Sequence, residues 1–193
     1  MKNLRVMTSA GAVAAMLAAG GAMADDGPKY TYLEGGYGWI DIDGLNEDGD
    51  GFNLGGSLGV TDMVFLFVDY ADSEFDNNVD FSLTEVGIGG NFELSPTTDL
   101  VGKVAWVSAD LDTNGFGSLD EDGYGLSLGV RAMMTPQFEL NGGVSYIDID
   151  DADDTALEIG AVYSFTDVFA VTANASFGDD FTTYGIGIRA YLQ

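Results

Sequence analysis

Residues Thr182–Gln193 read TTYGIGIRAYLQ. Taken two at a time, Tyr184, Ile186, Ile188, Ala190 and Leu192 fall on one side. Gly185, Gly187, Arg189 and Tyr191 fall on the other. Such alternation is that of a β-strand, whose successive side chains point to opposite faces. One face is continuously apolar, while the other carries small residues, a cation and Tyr191. The same pattern recurs nine more times upstream, with short and long connections in turn. Strand after strand of this kind predicts an all-β, antiparallel, up-and-down transmembrane β-barrel. Ten strands are expected, with eight as the alternative count.

The predicted strands cover 30–40, 52–60, 63–71, a fourth ending at Leu94, then 99–108, 123–133, 138–147, 156–165, 168–177 and 182–193. Tight turns are expected at Thr61-Asp62, around Pro96, around Pro136 and at Thr166-Asp167. Proline has no N–H to give a ladder, so Pro96 suits a turn. An even strand number puts both ends of the chain on the same side of the membrane.

Charge fixes the faces. With the apolar residues outward, Glu34, Asp69, Glu85, Lys103, Arg131, Glu139, Glu158 and Arg189 all point into the lumen. Slipping each strand by one residue would turn them into lipid. A cation at mid-bilayer costs ~2–4 kcal/mol there, so three cations would cost on the order of a whole domain's stability. Aromatics mark the edges. Trp39, Tyr70, Trp106, Tyr124, Tyr146, Phe177 and Tyr184 lie beside the long loops; Phe92, Phe138, Tyr163, Phe165 and Phe169 lie beside the short turns. Two bands of this sort are expected at two membrane–water interfaces.

Composition narrows the function. Six Lys and Arg stand against 32 Asp and Glu, a formal charge of −26. Nucleic acid is therefore not an expected partner. The chain has no Cys and no His. That removes disulfides, thiol chemistry, histidine-based metal sites and every triad built on His. Gly35-Gly36-Tyr37-Gly38 and Gly87-Ile88-Gly89-Gly90 lie inside predicted strands with no helix after them, so neither is a phosphate loop. The chain reads as a protein that is not an enzyme.

Residues 1–24 read as a signal peptide, leaving 25–193 as one barrel domain. Lys2 and Arg5 form a basic start, Val6–Ala19 an apolar core, and Ala22-Met23-Ala24 a small-residue cleavage site. Cleavage would leave four cations against the 32 acids, or −28.

Tyr32-Leu33-Glu34-Gly35-Gly36-Tyr37 and Gly185-Ile186-Gly187-Ile188-Arg189 resemble the first and last strands of the small outer-membrane β-barrel proteins. These are the OmpA-type and opacity-type, porin-like superfamily. The resemblance covers the chain after residue 24 as a pattern. It implies the outer membrane of a Gram-negative bacterium, contact with its lipid and lipopolysaccharide, and insertion by the barrel-assembly machinery as a monomer. Such proteins usually end in an aromatic residue, whereas this chain ends Tyr191-Leu192-Gln193.

Two constellations remain. The five long loops are expected to hold 21 acids and no Lys or Arg, forming an acidic rim. One reading is a solvated face. The other is weak calcium or magnesium binding at Asp41, Asp43, Asp48 and Asp50, bridging to lipopolysaccharide phosphates. Asn46-Glu47-Asp48-Gly49-Asp50-Gly51 matches the first half of a calcium loop, but Ser57 stands where its bidentate Glu would be. No other cofactor is implied. The second constellation is the lumen network of the eight inward charges. It reads as structural packing, or alternatively as the path of a small cation-selective diffusion channel.

Overall fold

The computed structural model describes residues 27–42, 48–75, 79–113, 117–150, 152–179 and 181–192. Ten strands follow one another: β1 (Tyr32–Ile42), β2 (Asp48–Gly59), β3 (Val64–Phe75), β4 (Val79–Ser95), β5 (Thr98–Thr113), β6 (Gly117–Thr135), β7 (Phe138–Ile149), β8 (Ala152–Ser164), β9 (Phe169–Phe177) and β10 (Phe181–Tyr191). Each pairs antiparallel with the next, and β1 pairs with β10, which closes the barrel. Ten strands, not eight, thus form the wall. Closure removes the sheet edges that would otherwise be left unpaired.

The outward faces are those the alternation predicts. Leu54 and Ile186 are 58% and 59% exposed, and Leu66, Ile88, Val104, Leu128, Val144 and Ile159 share that face. Between them point Glu34, Glu85, Lys103, Arg131, Glu139 and Arg189, all buried. At the short-turn end, Pro96 and Pro136 sit in tight turns, each beside a register shift, between Glu93 and Ser95 and between Met133 and Thr135. An extra residue on one strand lets the chain turn where proline cannot pair.

The long-turn end differs from the sequence reading. Residues expected in acidic loops stand on strands. Asp48 and Asp50 belong to β2, Asp72 and Glu74 to β3, Asp110 and Asp112 to β5, Asp120–Asp122 to β6, Asp148 to β7, and Asp153 and Asp154 to β8. The loop expected over 148–154 shrinks to a turn in which Asp150 has φ 50°, a left-handed conformation that Asp tolerates. At the other end the first strand opens at Tyr32, so Tyr30, expected in it, precedes it.

The reason is a second alternation inside the acidic stretches. Above the aromatic band, Asp and Glu take the outward positions and apolar residues the inward ones. Ile40, Ala71, Phe81, Leu83, Val107, Ala109, Ile147, Ile149 and Phe181 are all 5% exposed or less and pack in one cluster, with Phe75 and Leu111 against it. On β1, β4, β5 and β7 the two faces therefore change character at the Trp–Tyr band: above it apolar residues point in and acids point out, whereas below it the lumen holds the buried charges together with Tyr32, Phe65, Phe67 and Val162. Burial of the inward apolar set stabilises the extended strands by the hydrophobic effect.

Candidate functional site

The lumen is filled by a set of ion pairs. Glu34 of β1 and Arg189 of β10 are direct cross-strand partners, and Glu34 Oε2 accepts from Nε and Nη2 of Arg189, both at 2.6 Å. The Thr172 hydroxyl donates to the other oxygen of Glu34 at 3.2 Å. Arg189 lies over the Tyr32 ring, 4.0 Å from its centre. On the opposite wall Arg131 of β6 grips Glu139 of β7 with two bonds of 2.6 Å. Forked pairs of this kind are the stronger form of charge-assisted bond.

Residues 27–31 cross the short-turn end of the lumen. Tyr30 is 1% exposed and stacks on Phe65, ring centres 4.9 Å apart. Its hydroxyl donates to Asp99 at 2.9 Å, and Arg131 sits over its ring. Ser57 donates to the Tyr30 carbonyl at 2.9 Å, and Arg131 to the Lys29 carbonyl at 3.2 Å. The Tyr30 strap was not legible as such, because its alternation runs unbroken into strand β1.

Lys103, Asp69, Glu85 and Glu158 make up the rest of the lumen charge. Asp69 and Glu85 are direct partners across β3 and β4. Lys103 lies within electrostatic reach of all three carboxylates and rests over the Phe67 ring at 5.0 Å. Gly87 and Gly89 make room for the rings below them, since a Cβ at either would collide with Phe67 or Phe65. So the structure sorts the eight inward charges into two tight pairs, Glu34–Arg189 and Arg131–Glu139, and one looser group. The alternation already turns Thr172 and Asn141 inward, though only the charges were assigned to the lumen network; Asp99 shares the inward parity of Lys103, which could have added it.

Outside, the acidic face is ordered by strand register. Asp41 faces Asp48 across β1 and β2. Asp50 faces Glu74, Glu74 faces Asp80, and Asp80 faces Asp112, a row across β2, β3, β4 and β5. Asp110 faces Asp120, and Asp148 faces Asp153. Tyrosines of the aromatic band reach up to this acidic face. Tyr37 donates to Asp50, Tyr70 to Asp72 at 2.9 Å, and Tyr146 to Asp148 at 3.0 Å. Asp110, well beyond Trp106 on its strand, has its carboxyl raised from the ordinary value by a hydrogen bond with Asp120, by partial burial and by repulsion from Asp120 and Asp122.

Of the four acids considered for a cation, Asp41, Asp48 and Asp50 thus share the outer face of a strand pair, and Asp43 lies outside the described residues. The half-match to a calcium loop, already lacking its Glu at Ser57, does not form a loop over its described residues. Asp48–Gly51 are paired strand, so they cannot wrap an ion as a loop does, and Asn46 and Glu47 lie outside the described residues. No group of three or more acids among the described residues is placed to hold a metal ion. Residues 1–24, expected as a signal peptide, also lie outside them.

No curated protein matches the chain. Among solved structures it is similar to Ail, the attachment invasion locus protein of Yersinia pestis, at 16% identity over 84% of this chain and 97% of that one, with a TM-score of 0.45. It is similar to the N-terminal β-barrel domain of Pseudomonas aeruginosa OprF at 12% identity, 84% and 98% coverage and a TM-score of 0.46. The NanC porin gives 6% identity, 84% and 100% coverage and 0.49. The decisive match is to a family model, that of the outer membrane protein beta-barrel domain, over residues 10–165. This chain belongs to that family, and it is a β-barrel of the outer membrane.

Proposed function

We propose that the protein is a non-enzymatic, monomeric structural barrel whose work lies at its acidic outer face. There it meets divalent cations, calcium or magnesium, and through them the phosphates of lipopolysaccharide. The supporting observation is the row Asp50, Glu74, Asp80 and Asp112, in which carboxylates stand directly opposite one another on four neighbouring strands. Like charges so placed repel, and cations that screen or bridge them relieve the repulsion. The row begins just past the Trp–Tyr band, which is where lipid head groups lie. Asp41 and Asp48 extend it, and Asp43 is the further candidate. Insertion by the barrel-assembly machinery belongs to the same reading.

The test is retention of purified lipopolysaccharide by the refolded chain during a calcium titration. Retention should rise with calcium, fall on chelation, and weaken when Asp50, Glu74, Asp80 and Asp112 are made amides. Retention indifferent to calcium and to those changes would end this reading.

The competing reading is a small cation-selective channel. Small polar cavities along Glu85, Lys103 and Glu158 speak for it. The apolar cluster above and the Tyr30 strap below speak against it. In planar bilayers under a KCl gradient the folded chain should be silent. Stable cation-selective steps that change with Glu139→Gln would put the channel first.

A further inference from the structure

Four small cavities run through the lumen in a chain. The first, about 10 Å³, is lined by Asp69 and Glu85 among others. The next, about 20 Å³, has Glu85, Lys103, Ser145 and Glu158 in its wall. A third of about 40 Å³ shares Lys103 and Glu158 and adds Asn141 and Arg131. The last, about 20 Å³, shares Asn141 and Glu158 and ends at Glu34 and Arg189. A cavity of ≳ 10–15 Å³ has room for one water-sized occupant.

Charge along this chain is uneven. At one end Arg189 is matched by Glu34, and Arg131 is matched by Glu139. In the middle three carboxylates, Asp69 from β3, Glu85 from β4 and Glu158 from β8, share a single ammonium, Lys103 from β5. The remaining faces of the middle cavities come from β6 and β7, which supply the neutral Ser127, Asn141 and Ser145 and, in the third cavity, Arg131, whose charge Glu139 already matches. Glu85 is 5% exposed. Among the described residues its Oε1 has no hydrogen-bond partner, and the same is true of Glu158 Oε1 and Asn141 Nδ2. A buried carboxylate left without a partner is costly, so such a group recruits a counter-charge.

We propose that the second of these cavities is a binding site for one small monovalent cation, sodium or potassium, held by Glu85 and Glu158 with the hydroxyl oxygens of Ser127 and Ser145. The donor set is all oxygen, which suits a hard cation. Lys103 disfavours a divalent ion in the same space, and the carboxylates are not gathered as a chelate. The site is separate from the acidic outer face, and it does not depend on that face binding anything.

The experiment refolds the mature chain in sodium, potassium or N-methylglucamine chloride at one ionic strength and one pH, so that the ion can enter during folding. Melting is then followed by the heat-dependent shift of the folded band on gels. The organic cation screens the outside but is too large for the chamber. Sodium or potassium should raise Tm logarithmically, by ~3–6 °C per tenfold concentration above its dissociation constant. Glu85→Gln with Glu158→Gln should erase the difference between salts. Lys103→Met should enlarge it, because the built-in cation is gone, whereas a lysine with a merely structural role would lower Tm equally in every salt. Asp80→Asn with Asp112→Asn, on the outer face, should leave it unchanged.

Equal melting in the three salts overturns the proposal, as does a salt difference that survives the double glutamine change. So does a Lys103→Met variant whose loss is the same in each salt. Should the double variant not fold, ²³Na resonance line width on the wild-type chain decides. Broadening that potassium displaces and N-methylglucamine does not supports the site; no broadening beyond that of a denatured control overturns it.

Discussion

Glu34 and Arg189 face each other across the seam where the last strand meets the first, and their side chains join at 2.6 Å inside the barrel. An ion pair 155 residues apart in sequence thus fastens the seam that closes the fold. Arg189 is completely buried and Glu34 nearly so.

Removing one member of this pair should be far worse than removing both. Glu34→Gln leaves the Arg189 guanidinium buried beside a neutral amide, which costs about 3–5 kcal/mol for a pair of this kind. Arg189→Met paired with Glu34→Leu should recover a large part of that loss. Urea unfolding of the wild type, Glu34→Leu, Arg189→Met and the double variant in one detergent gives the coupling. Additive losses would mean that the two side chains act independently.

The Tyr30 strap should be held by its ring more than by its hydroxyl. Tyr30→Phe gives up the bond to Asp99, for about 0.5–1.5 kcal/mol. Tyr30→Ala empties the stack on Phe65 and should cost about 3–5 kcal/mol. Protease cleavage near residue 30 of the folded protein should appear only in the alanine variant.

Lipid exposure separates the two faces of a single strand. Ile186→Arg places a charge on the outer wall in the middle of β10 and should cost ~2–4 kcal/mol of stability in a bilayer. Gln at the same position should cost less, and the gap between the two should narrow toward the aromatic bands. Reversible unfolding from liposomes measures it. An arginine tolerated at Ile186 would contradict the membrane position of this belt.

Acid should steady the outer face. The Asp110 carboxyl is held above its ordinary value, chiefly by its hydrogen bond with Asp120. A carboxyl raised on folding binds its proton more tightly in the folded state. Stability therefore increases as pH falls through the raised folded value, and the gain levels off below the ordinary carboxylate range. Asp110→Asn should remove this part of the pH profile and should help most at low salt and neutral pH, where the repulsion is greatest. Melting curves between pH 3 and pH 8 would show it; a variant with the wild-type slope would count against the pair.

The number of strands, their faces and the eight inward charges could be read from the chain because each follows from one period-two pattern. Leu100, Val104 and Trp106 against Lys103 is enough to orient β5. What the sequence hid was where the strands stop. In Ala109-Asp110-Leu111-Asp112 and Ile147-Asp148-Ile149 the alternation continues, but density of Asp looked like loop. The β5 and β6 strands consequently run to Thr113 and from Gly117, well past their expected ends. The sorting of lumen charges was hidden for another reason. Parity says that Arg131, Glu139, Lys103 and Glu158 point inward, while their pairing depends on how neighbouring strands are staggered around a closed wall.

The exchange of faces at the Trp–Tyr band also settles how deep the molecule rides. Within one strand, β5, hydrocarbon-facing Leu100, Val104 and Trp106 give way to Ser108, Asp110 and Asp112 on the same side. Sinking the barrel by one pleat repeat would drag a whole ring of carboxylates toward the acyl chains. Raising it would strip lipid from the lower aromatic band. The chain thus carries its own waterline, and a bilayer of a different thickness would have to bend to meet it.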